Sequence, residues 1–380
     1  MQALIEREFP QEPELVYLNH AAVSPWPRRT AAAIKEFADE NVNTGAEHYK
    51  LWSAKEDSLR EQLRMLINAP STADIALLKN TSEAISVVAD GLRWQAGDNI
   101  VTTNEEFPSN RIPWEAQKDK GVGLKEVAVQ VEEPENALIE ACDDKTRLMT
   151  VSSVQYGSGL RLNLKKLGEF CSASNILYCV DAIQSIGAYR FDVQRIHADF
   201  AMADAHKWML GPEGIAVFYC RESVREQLDL HQYGWHMVEH AGDYDRKKWQ
   251  IARTSKRFEC GTPNMLGTFA LSASLSLIEE LGIDFIEEQI IEKSEYLLEG
   301  LQKLSGAEIL TKQGKSERSG IVTFRIQGQD SKSLHTSLMR KRVICANRFG
   351  GIRFPPHFYT PRQKLDQALN ILAALEQEKT

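Results

Sequence analysis

The sequence predicts an α/β fold: a large unit built on a mostly parallel, seven-stranded sheet between helices, and a smaller α+β unit at the C-terminal end. Three observations carry this prediction. Between residues 75 and 219, short apolar runs alternate with segments of helical period, the pattern of strands joined by crossover helices. The chain has 380 residues, more than one hydrophobic core comfortably serves. Beyond residue 320 the order changes to strand, helix, two strands and a last helix.

Taken in order, residues 1–20 form an N-terminal arm. Tyr17 to Ala22 leads into a turn marked by Pro25 and Pro27, and a helix is expected from about Arg29. The spacing predicts a second helix over 53–67. The alternation then begins, with predicted strands over 75–79, 99–103, 124–129, 148–154 and 176–181 and predicted helices over 83–92, 113–120 and 164–174. Predicted strands over 200–205 and 215–219 flank Lys207, and Gly211, Pro212 and Gly214 reverse the chain between them. The large domain is expected to span 21–264. A long helix over 265–280 opens the region 265–380, which adds strands over 321–326, 343–346 and 352–354, a helix over 331–342 and a terminal helix from Pro361.

Hydrophobic residues make up 43% and charged residues 26% of the chain, an ordinary globular composition. The formal net charge of -8 disfavours nucleic acid or an anionic membrane as partner. Acids and proline in MQALIEREFPQEPEL stand where a signal peptide needs an apolar run, and no later stretch reaches bilayer length, so a cytoplasmic protein is expected. Six cysteines, at 142, 171, 179, 220, 260 and 345, lack any CxxC pair and read as reduced structural thiols.

Lys207 sits between two core strands and beside Trp208. Desolvation there lowers an ammonium pKa and frees a nucleophilic amine, the requirement of Schiff-base chemistry; the alternative is a lysine that extends its charge out of a strand end. Asp181 ends a strongly apolar strand and needs a cationic partner, for which a protonated pyridine nitrogen would serve. Asn80, Thr81, Ser82 and Glu83 open a helix directly after a strand, with capping-box spacing and free amides suited to a phosphate. At successive strand ends, these three features say more together than any one alone. His236 to His240 spells HMVEH, an inverted zinc-protease pattern, but flanking glycines and the lack of a third ligand make it a chance match in a loop, and no metal is expected.

Seven blocks share an order with a known family: YLNHAAVSPWP from Tyr17, NTSEAISVVADGL from Asn80, EFPSNRIPW from Glu106, VDAIQSIGA from Val180, ADAHKWMLGPEG from Ala203, RFECGTPN from Arg257 and GGIRFPPHFYT from Gly350. On these the chain resembles the class V aminotransferases, fold-type I pyridoxal-phosphate enzymes that include cysteine desulfurases, selenocysteine lyases and isopenicillin-N-epimerase-like proteins. The resemblance implies pyridoxal 5'-phosphate as cofactor, joined to Lys207 as a Schiff base, with Lys207 later carrying the substrate's α proton. It implies Asp181 at the pyridine nitrogen, Gln184 at the phenolic oxygen, and Thr81, Ser82, His206 and Asp204 around the phosphate. Gln155 is expected against the cofactor and Phe107 stacked on its ring. Thr262 corresponds to a threonine that reaches the phosphate across a homodimer. Arg353 matches the arginine that binds the substrate carboxylate, and Asn19 and His20 lie in the loop that lines the substrate pocket.

Two departures bear on the reaction. Phenylalanine at 107 can stack but cannot move a proton, where relatives often have histidine. Cys345 falls inside a predicted strand, and the extended cysteine-bearing loop of desulfurases is missing. The expected reaction is therefore transamination or epimerisation of a small amino acid. Desulfurase or selenocysteine-lyase-type β-elimination is the alternative, and a cofactor-binding protein without turnover is the rival from another class.

Overall fold

The structure is a computed structural model, which describes residues 1–314 and 317–377. Its strands are β1 (Val16–Tyr17), β2 (Ile75–Leu78), β3 (Asn99–Thr103), β4 (Gly123–Val127), β5 (Thr146–Ser152), β6 (Leu177–Asp181), β7 (Phe200–Asp204), β8 (Ala216–Cys220), β9 (Ala307–Ile309), β10 (Val322–Ile326), β11 (Val343–Ile344), β12 (Ala346–Arg348) and β13 (Gly351–Phe354). The large sheet has seven strands in the order β2-β8-β7-β6-β5-β3-β4. Only β8 runs against its neighbours; the other six point the same way, so their carboxyl ends meet along one edge. This is the mostly parallel α/β architecture of fold-type I.

The inner strands β3, β5, β6, β7 and β8 are buried on both faces, which explains their apolar runs, whereas the edge strand β4 is partly exposed. Tyr178 and Val180 of β6, with Ala201 and Ala203 of β7, enter one apolar cluster, while Leu177, Cys179, Phe200 and Met202 enter the other, as the two-residue side-chain period requires. Leu59 and Leu63 of the helix Tyr49–Leu66, Leu167 and Cys171 of Leu164–Ser174, and Leu271, Leu275 and Ile278 of Met265–Leu281 cover the first face. Ala84, Ile85, Val88 and Ala89 of the helix Thr81–Gly91 cover the second.

Among the described residues a second sheet, β12-β13-β10-β9, is antiparallel, and β1 pairs in parallel with β11. A third apolar cluster joins these strands to the helices Ile283–Leu301, Ser331–Arg340 and Arg362–Gln377. The strand expected over 343–346 divides at Cys345, because Val343 and Ile344 pair with β1 whereas Ala346 to Arg348 pair with β13. The helix expected over 113–120 is a short α-helical turn, Ile112–Glu115, continued as a 3-10 turn, Ala116–Lys120, that ends on Gly121 at φ 80°. Helices at Gln2–Glu8, Pro134–Glu140 and Ile283–Leu301 add to those read from the sequence. No helix among the described residues is long and apolar enough to cross a membrane.

Candidate active site

The codirectional strands deliver their following residues to one cavity at the carboxyl edge of the sheet, the usual ligand position in such folds. Thr81 and Ser82 follow β2, Phe107 follows β3, Tyr156 follows β5, Asp181 ends β6, and Asp204, His206 and Lys207 end or follow β7. Ala21 and Ala22 from the N-terminal segment, and Arg348 and Arg353 from the second sheet, complete the walls.

Lys207 is only 9% exposed, so its amine has left bulk water. Burial pushes the ammonium below its ordinary range, Arg353 and Arg348 push the same way, and Asp181 and Asp204 oppose them. Its amine lies 5.7 Å from the centre of the Phe107 ring. The peptide beyond it is held closely: Gly187 takes φ 92°, and a Cβ there would stand 2.5 Å from the carbonyl oxygen of Trp208. Burial raises the Asp181 carboxyl well above the usual carboxylate range, with Glu106 adding to the shift and the Ile183 amide opposing it. One Asp181 oxygen accepts that amide at 3.0 Å, and no lysine or arginine among the described residues forms an ion pair with it.

At the other end of the cavity Asn80 caps the helix Thr81–Gly91 by accepting the Glu83 amide at 2.8 Å, and Glu83 accepts the Lys79 amide at 2.6 Å. The first amides of the helix, at Thr81 and Ser82, have no acceptor within it, as at any helix start. The Thr81 hydroxyl accepts the Asp204 amide at 3.0 Å, and Ser82 donates to Ser109 at 2.8 Å. His206 Nδ1 and Asp204 Oδ1 stand 3.0 Å apart, close enough for an ion pair but not aligned as a hydrogen bond, so each buried atom keeps its bonding capacity.

Phe107 is 40% exposed and meets Tyr156 edge to face at 5.1 Å. Beneath it, Glu106 accepts from Thr103, Asn110, Gln155 and both the amide and hydroxyl of Ser152, so a buried carboxylate with five donors fixes the loop carrying Phe107. Gln155 is buried by that contact, and its neighbour Tyr156 reaches the cavity instead. Gln184 likewise lies behind the wall, donating to the Ala21 carbonyl at 3.0 Å and accepting from Trp208 at 2.8 Å.

Three other expected residues also lie off the cavity lining. His20 is enclosed, bonded to the Pro355 carbonyl at 2.8 Å and the Tyr359 hydroxyl at 2.9 Å, and burial pushes its imidazolium down to about 4. Asn19 is half-buried, with a side-chain oxygen that has no partner. Thr262 is exposed.

Arg353 is 2% exposed; it donates to the Tyr156 carbonyl at 2.6 Å, and its Nε has no partner. Burial, reinforced by Arg348, lowers its pKa to about 10. Arg348 escaped the reading of the sequence; its signal was a basic residue five positions before Arg353, on the other side of the Phe349-Gly350 turn. Cys345 is buried away from the cavity lining, its thiol pushed up to about 12. In the HMVEH segment His236 is buried 3.6 Å from Glu259 while His240 is exposed, so the two histidines do not converge. Glu56 and Glu259 close around the Arg60 guanidinium, which already supplies the cation there.

These residues fit pyridoxal phosphate. A buried carboxylate without a cation suits a pyridinium nitrogen, a helix start with hydroxyls suits a phosphate, and a desolvated amine suits an aldehyde. The family model for aminotransferase class-V matches residues 16–351. A probable cysteine desulfurase of Methanothermobacter thermautotrophicus is 33% identical over 349 residues, covering 90% of this chain and 85% of that protein. An uncharacterized aminotransferase, YcbU of Bacillus subtilis, is 27% identical, covering 90% and 89%. Among solved structures, the cysteine desulfurase CsdA from Escherichia coli superposes with a TM-score of 0.88 at 22% identity, covering 99% of each chain. The cavity and the comparisons agree: the chain belongs to the aminotransferase class-V family, and it is an enzyme that uses pyridoxal phosphate.

Proposed function

We propose that the protein is a lyase that removes a β-substituent, sulfur foremost, from a small amino acid. The observation that carries this reading is the convergence of the Lys207 amine, the Asp181 carboxylate and the Arg353 guanidinium on one cavity lined by no cysteine among the described residues. The relatives named as cysteine desulfurases support removal of sulfur over the transamination or epimerisation expected from the sequence. A cysteine-free lining favours release of the leaving group into solution over its capture on an enzyme thiol.

When bound, pyridoxal phosphate supplies an aldehyde for condensation with the substrate amine and an electron-withdrawing ring that weakens the bonds at the α carbon. Arg353 binds the α-carboxylate by its two-pronged guanidinium. Lys207, kept partly neutral by burial, takes the α proton at Nζ. Asp181 would keep the ring nitrogen protonated, and Thr81, Ser82 and His206 would hold the phosphate, with Asp204 acting there through His206. Phe107 and Tyr156 close one side of the cavity against water. Gln155, Gln184 and His20 act from behind the wall by bonding to the segments that form it, and Asn19, whose side-chain oxygen is unpartnered, fits a role in the substrate loop. Thr262, exposed and off the wall, fits a role in a second copy's site within a homodimer.

The test is product analysis with L-cysteine and the cofactor-loaded protein. The proposal expects pyruvate, ammonia and sulfide in equal amounts, one water being consumed. Alanine without pyruvate, a keto acid that keeps its sulfur, or the D-enantiomer would each replace it with a different reaction.

A further inference from the structure

Arg348 and Arg353 belong to one hairpin, β12 to β13, turned at Phe349 and Gly350 with φ values of 52° and 70°. Arg348 pairs with Gly351, and Arg353 with Ala346. The alternation of side chains therefore puts both arginines on the same face, diagonal to each other, where such residues stand roughly 7–8 Å apart. Both line the cavity.

Among the described residues neither arginine has a carboxylate partner. Arg348 donates only to the carbonyl of its neighbour Asn347, and Arg353 only to that of Tyr156. Two like charges on one face repel, a cost that an anion between them reverses. The cofactor phosphate already has its complement at Thr81, Ser82 and His206, so it does not account for the hairpin. Arg353 is enclosed and suits a group common to every substrate, whereas Arg348 is exposed at the rim and meets the part that varies.

We propose that Arg348 is a specificity residue that binds a second anionic group, on the substrate's side chain, while Arg353 holds the α-carboxylate. The preferred substrate class is an amino acid whose β-substituent carries its own carboxylate or sulfur oxyanion. This rests on the lyase reading of the same cavity and narrows it.

The test compares L-aspartate with L-asparagine, which have nearly the same shape and differ in side-chain charge. Binding to the cofactor-loaded protein is measured by calorimetry at two salt concentrations. Aspartate is expected to bind at least about tenfold more tightly, with the advantage shrinking at high salt. Arg348→Gln should reduce aspartate to the affinity of asparagine, and Arg348→Lys should keep part of the preference; thermal melting checks that both variants fold. Equal binding by the parent protein, or a preference that survives Arg348→Gln, overturns the proposal. So does an Arg348→Gln protein that chiefly loses cofactor on dialysis, which would assign this arginine to the phosphate. Failure of the lyase reading looks different: no product from L-cysteine, with the aspartate preference intact.

Discussion

Asp181 and Lys207 close neighbouring parallel strands, and each charge favours the ionised state of the other while burial disfavours both. Burial is the larger effect on each, so both are drawn toward neutrality. A cationic ring nitrogen would reverse that for Asp181, and covalent attachment would consume the free amine of Lys207. The pair is thus arranged for a guest that satisfies both groups at once.

Replacing the nucleophile tests the centre of this arrangement. Lys207→Ala should leave a protein that releases pyridoxal phosphate on dialysis and cannot be fixed to it by borohydride. Turnover should fall on the order of 10²–10⁴-fold, the usual contribution of a positioned proton-transfer group. Mass spectrometry after reduction, with the label sought at residue 207 of the parent, is the check.

Asp181→Asn keeps the shape and removes the charge. Hydrogen bonds to charged groups contribute about 1.5–3 kcal/mol, so cofactor affinity should fall roughly 10- to 100-fold. Equilibrium dialysis measures it; an unchanged affinity would remove Asp181 from the ring nitrogen.

Glu106→Gln places an amide nitrogen among five donors. At least one buried donor then faces another donor, which costs about 1–3 kcal/mol. The variant should unfold at lower denaturant, and its Phe107 loop should exchange amide hydrogens faster than in the parent.

The buried His20 gives stability a pH dependence of definite sign. Its folded pKa, about 4, lies below the unfolded value near 6.5, so the unfolded chain binds more protons between them and stability falls as pH drops through that window. From pH 7 to pH 5 the loss from this residue is about 2 kcal/mol. His357, 5.3 Å away ring to ring, shifts in the same direction. Denaturant titrations of His20→Gln should show a shallower decline between these two pH values, and a slope equal to that of the parent would discount the burial.

Much of the cavity edge was legible because it is local in sequence. An apolar strand followed by a polar residue marks a strand end, and Asp181, Lys207 and the Asn80 cap are all read that way. Gln155 and Gln184 also follow a strand closely, but their bonds, to Glu106 in one case and to Ala21 and Trp208 in the other, were not legible. Such partners lie 24 to 163 residues away, a distance that no local pattern spans.

The amino-acid order by itself determined most of the strands and helices, since side-chain period and capping act over a few residues, and it marked the lysine and the carboxylate that meet at the cavity. Only the tertiary structure decided that Arg348 joins Arg353 at the cavity, that Tyr156 rather than Gln155 lines it, and that His20 is sealed away. Those outcomes depend on the register of a hairpin and on contacts between distant strands, which form when the whole chain packs.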